Sequence, residues 1–211
     1  MNIRFVTLSL LLSVAVAVSG CASFKTLEPG GCGSSPNEHA CLGKTVVPEQ
    51  QADLFIRSSK LAIDAIASQE FKDDLARFVR DHTSSGKHSD AWAGIDASSI
   101  PDRLLKKTEG MQIATFGGIK GAWFAICCGT RAREGNSVGP ILLNRWYLPR
   151  SSESIANTIV HEAAHRIGLT HPHSSSDSDI ANCEPPYVIG SLVEKHITGA
   201  DWSSSGHCKF L

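Results

Sequence analysis

An α+β fold is predicted for this chain, and three observations predict it. Leu54, Ile56, Leu61, Ile63, Ile66, Phe71, Leu75, Phe78 and Val79 recur at roughly helical spacing. Between residues 111 and 148, three short apolar runs are parted by Gly and Pro, as strands are. A second helical block then opens at the cap-like Ser151-Ser152-Glu153-Ser154. Together they give a small mixed sheet packed on helices.

The elements follow in order. Arg4 precedes Phe5 to Val18, an apolar run of 14 residues without charge. A bilayer span takes about 20 residues, so the run reads as an export signal over residues 1–20. It ends in Val18-Ser19-Gly20-Cys21, which resembles a bacterial lipobox. That resemblance implies cleavage before Cys21, a lipid on its sulfur, and anchorage in the cell envelope. Ala22 and Ser23 carry no acidic inner-membrane retention signal, which points to the outer membrane. Residues 21–47 are rich in Gly, Ser, Pro and Cys and read as a tether with a disulfide-closed loop. A single domain is expected over 48–211, enough chain for one core.

Within that domain, Pro48 opens one or two helices running to about Asp81. His82 and His88 then fall in a polar, solvated loop. Ser98-Ser99-Ile100-Pro101 starts a helix that ends near Lys106-Lys107, closed by Gly110. Met111 to Phe116, Ala122 to Cys128 and Pro140 to Leu148 are the three strands, with a Gly/Arg-rich loop over 129–139. Pro149 ends the last strand, and Ser151 or Ser152 caps the next helix. Tyr187 to His196 reads as a closing helix.

The informative stretch lies inside the capped helix: His161-Glu162-Ala163-Ala164-His165-Arg166-Ile167-Gly168-Leu169-Thr170-His171. His161 and His165 are four apart, so on a helix both imidazoles face one metal ion. Glu162 sits where it takes a proton from activated water without being a ligand. Gly168 permits a left-handed exit from the helix, which returns His171 as third ligand. Three protein ligands leave a fourth position open, the mark of a catalytic zinc rather than a structural one. His173 is the alternative third ligand; the Gly168 spacing favours His171. Asp177 and Asp179 read as a solvated loop rather than a calcium site.

The stretch fits H-E-x-x-H-x-x-G-x-x-H and resembles the metzincin clan of zinc metallopeptidases. The resemblance implies a zincin-like domain, bound Zn2+, and hydrolysis of a protein or peptide substrate with Glu162 as general base. It also implies that the strand before last is a sheet edge pairing with extended substrate, by order Ala122 to Cys128. A buried strand is the competing reading of that segment. The chain departs from the clan downstream. Its methionines are Met1 and Met111, so no Met-turn follows His171. Cys183-Glu184-Pro185-Pro186-Tyr187 is a Pro-stiffened turn able to support the metal instead, and Tyr187 is the candidate second donor to the oxyanion. A core or interface tyrosine is its other reading.

Seven cysteines become six if Cys21 is lipidated. An even number in an exported chain suggests disulfides. Cys32 and Cys41 flank one loop and form the expected pair. Cys127 and Cys128 point to opposite faces of a strand, so Cys183 and Cys208 are their expected partners, in either arrangement. His39, His196 and His207 have no ligand-like spacing. The formal charge is −1 without a basic block, which argues against nucleic acid. A lipoprotein that keeps the zinc site as a non-catalytic peptide-binding or scaffold module is the rival function.

Overall fold

The computed structural model describes residues 24–27, 45–48, 51–84, 89–108, 113–117, 122–123, 132–133, 140–171 and 183–200, the first two segments as backbone only. Among the described residues, no helix is long and apolar enough to cross a membrane. The signal segment, Cys21, Cys32, Cys41, Met111, Cys127, Cys128, His173, Asp177, Asp179 and Cys208 lie outside them.

The first helical run is two helices, α1 (Ala52–Ala67) and α2 (Gln69–Ser84). Ser68 divides them. Its extended backbone stops α1, and its hydroxyl accepts from the Phe71 N–H at 3.1 Å, capping α2. Phe55, Ala62 and Ile66 on α1 and Phe71, Leu75 and Phe78 on α2 are buried in one core. His82 is not in a solvated loop. It ends the apolar stripe of α2, 9% exposed, with its ring stacked on Phe78 at 3.7 Å. The stripe, read one turn further, contains it. Pro48 does not open α1 but closes a strand, and the helix begins four residues later. Helix α3 (Ile100–Thr108) starts as expected, with Pro101 in its first turn, where a missing N–H is tolerated.

Five strands form one sheet: β1 (Phe24–Leu27), β2 (Thr45–Pro48), β3 (Ile113–Phe116), β4 (Ala132–Arg133) and β5 (Ile141–Asn144), in the order β1-β2-β3-β5-β4. The β2–β3 and β3–β5 pairs are parallel, with Ile113 opposite Ile141. The β1–β2 and β4–β5 pairs are antiparallel. The sheet is therefore mixed. Two expectations need correction here. Strand β1 and most of β2 fall in the 21–47 segment, where the sequence predicts no strand; the rest of that segment lies outside the described residues. The strand expected from Ala122 does not start there: Ala122 and Trp123 are helical and Trp123 is 66% exposed. Among the described residues, the strand before last is β4, inside the expected Gly/Arg-rich loop, and it lies at one edge of the sheet. The last strand is also shorter than 140–148. Buried Asn144 ends it, accepting from the Trp146 N–H at 3.2 Å to cap a 3₁₀ turn, Arg145–Tyr147.

Helices α4 (Ser152–Arg166) and α5 (Pro185–Thr198) complete the fold. They pack closely because α5 has no side chain at Gly190. A Cβ there would meet the Asn157 carbonyl oxygen of α4 at 2.9 Å, and the Asn157 side chain as well. The Asn157 amide donates to Glu194 at 2.6 Å across the same contact. At the far end, Lys195 donates to Asp74 of α2 at 2.7 Å. Burial would raise the Asp74 carboxyl, but Lys195, His196 and Arg77 together hold it below its usual range.

Gly190→Ala is expected to lower the denaturant midpoint. Overpacking costs about 1–3 kcal/mol, against a helix-propensity gain of about 1 kcal/mol. A raised midpoint would contradict the close approach of α4 and α5.

Candidate metal centre

Ser151 fixes the start of α4: its hydroxyl accepts from the Ser154 N–H at 3.3 Å. Ile155, Ala156, Ile159, Val160, Ala163 and Ala164 bury one broad face in the core. His161 and His165 are left together beyond that face. The helix ends as the sequence predicts. Gly168 has φ +90°, in the left-handed region. Its N–H donates to the His165 carbonyl at 2.9 Å and the Leu169 N–H to the Ala164 carbonyl at 3.1 Å, a Schellman closure. Arg103 of α3 donates to the Ile167 carbonyl, tying this end to the fold. The chain turns back, and His171 arrives beside the two helical histidines.

The three rings converge. Their centroids lie 5.1 Å apart for His161 and His165, 5.2 Å for His161 and His171, and 4.8 Å for His165 and His171. One nitrogen from each lies within 4.8 Å of the others, so these three residues can form a metal-binding group.

Two of the rings are also held from behind. The His165 Nδ1 lies 2.8 Å from the Leu169 carbonyl oxygen. A carbonyl only accepts, so Nδ1 carries the proton and Nε2 keeps its lone pair for a metal. The His171 Nδ1 lies 2.7 Å from Glu184 Oε2, with the same consequence. The Pro186 backbone acts on His161 in the sense opposite to burial, as the smallest of the influences on its pKa. Burial drives the His161 pKa down to about 3, helped by His165 and His171. It is therefore neutral at pH 7, as a ligand must be. Burial lowers the His171 pKa too, partly offset by the hydrogen bond to Glu184. Three imidazoles, two of them with hydrogen-bonded second nitrogens, are a donor set that suits a borderline divalent cation.

Glu162 is buried at 7% exposure, next in the chain to His161 and one helical turn from His165. Tyr187 lies over the rings, its centroid 4.5 Å from His161 and 4.7 Å from His171, and it stays 39% exposed. The segment 183–187 thus lies against the histidines. One of its contributions was missed in the sequence, the Glu184 carboxylate. The only signal for Glu184 was an acidic residue inside a Pro-stiffened turn. Cys183 is disulfide-bonded to a residue outside the described ones. Its carbonyl accepts from the buried Trp92 indole N–H at 2.8 Å. His196 stands apart, with its Nε2 3.3 Å from Asp74.

No protein family, no curated protein and no solved structure matches this chain.

Proposed function

We propose that the chain is a zinc-dependent metallopeptidase with a metzincin-like, zincin-type domain, held at the bacterial cell envelope by a lipid on Cys21. One observation carries the reading: His161, His165 and His171 converge, the last two with their second nitrogens engaged, and a buried glutamate adjoins the first of them. When bound by these three residues, zinc would make water acidic enough to attack at neutral pH and would polarise the scissile carbonyl.

The chain's own groups do the rest. Glu162 accepts the proton from the attacking water and delivers it to the leaving nitrogen. Its burial keeps bulk water from competing for that proton. The Tyr187 hydroxyl is the candidate donor to the oxygen on which negative charge develops, since its ring already packs on two of the histidines. The β4 edge offers backbone groups for pairing with an extended peptide. A retained Glu162 has no use in a module that only binds peptides.

Metal analysis of the purified full chain together with cleavage of a peptide library tests this. Zinc should co-purify in stoichiometric amount. A chelator should abolish cleavage, and added zinc should restore it. A metal-free chain would remove the basis of the reading, and a zinc-loaded chain that cleaves no peptide would leave the scaffold module in its place.

A further inference from the structure

We propose that the start of α5, residues 183–187, replaces the missing methionine turn as the platform under the metal, with Glu184 as the positioning residue that presets His171. The inference rests on the metal-site reading above. His161 and His165 are fixed by the helix that carries them. His171 is the ligand off the helix, beyond the Gly168 turn, and has the most freedom to lose on coordination. A group that orients it in advance removes that cost.

Glu184 has the properties such a group needs. It is 1% exposed, a position where a carboxylate requires a partner. It occupies the N-cap of α5, yet its side chain makes no capping hydrogen bond. The carboxylate instead meets His171 Nδ1 at 2.7 Å. The helix N-terminus favours its negative charge where it stands. A buried carboxylate on the far nitrogen raises the basicity of the ligating one and fixes the ring plane.

The platform is itself rigid. The Trp92 indole and a disulfide hold Cys183. Pro185 and Pro186 restrict the first turn of α5. Gly190 lets the helix lie directly on α4. From this base, Glu184 holds His171, and the Tyr187 ring packs on His161 and His171. No sulfur is needed for that task.

The test is zinc affinity, measured on the full chain by competition with a chelating indicator. The variants are Glu184→Gln, Glu184→Ala, His171→Ala, and Glu184→Ala combined with His171→Ala. Loss of such an outer partner weakens metal binding about 10–100-fold. Glu184→Ala should show that loss. Glu184→Gln keeps an acceptor but not the charge and should fall near the lower end of the range. The double variant should bind no more weakly than His171→Ala alone, because Glu184 acts through that ring.

A merely structural glutamate would lower the melting temperature of the metal-free chain and leave zinc affinity unchanged. Parent-like affinity in Glu184→Gln overturns the proposal, even if Glu184→Ala fails to fold. So does full additivity in the double variant. A parent chain that binds no zinc would overturn this inference and the peptidase reading together. A chain that binds zinc with the predicted Glu184 dependence but cleaves nothing would overturn the peptidase reading alone.

Discussion

Glu162→Gln should leave zinc content unchanged while hydrolysis falls about 10²–10⁴-fold, the usual worth of a general base. The substitution keeps the shape of a side chain that is 7% exposed, so the helix and its histidines have no reason to move. It removes the negative charge and with it the ability to take up a proton. The measurement is turnover of the best library peptide beside metal content on the same preparation. Equal activity in variant and parent would mean that Glu162 is not the base, and the hydrolytic mechanism would have to be redrawn.

His161→Ala should lose both metal and activity, and His165→Ala likewise. His161 is the most constrained of the three. Its removal takes away a proposed ligand and also strips the Tyr187 ring of a neighbour. His171→Ala should weaken zinc retention on dialysis more than His173→Ala does. A larger loss in His173→Ala would reassign the third ligand.

The sequence was most readable where one local rule governs one local structure. The Ser151 cap, the helical phase of His161 and His165, and the positive φ of Gly168 each depend on a few adjacent residues, and each is found. The core stripes of α1 and α2 were legible for the same reason. The strands were harder. β1, β2 and β4 have four, four and two residues, too short for a periodic pattern to rise above Gly/Ser-rich surroundings. Pro48 reads equally as a helix start and a strand end, and only its pairing with Phe24 decides. Trp123 had the composition of a strand and takes a helical conformation. Glu184 lay beyond local reasoning altogether. It reaches His171 from 13 residues away in the chain, and no spacing rule connects a loop ligand to the cap of the next helix.

The Schellman turn at Gly168 has a consequence for the coupling of metal to folding. It keeps the three candidate ligands within eleven consecutive residues, so an ion bound there would close only a short loop and constrain the unfolded chain very little. The same imidazoles stay near one another after unfolding, and an ion retained there favours the native state less by mass action. Such an ion would discriminate between the two states chiefly through what the open chain lacks, the Glu184 carboxylate arriving from a separate helix. On the proposed reading, holding a metal and holding the chain together are largely separate tasks, joined at a single helix cap.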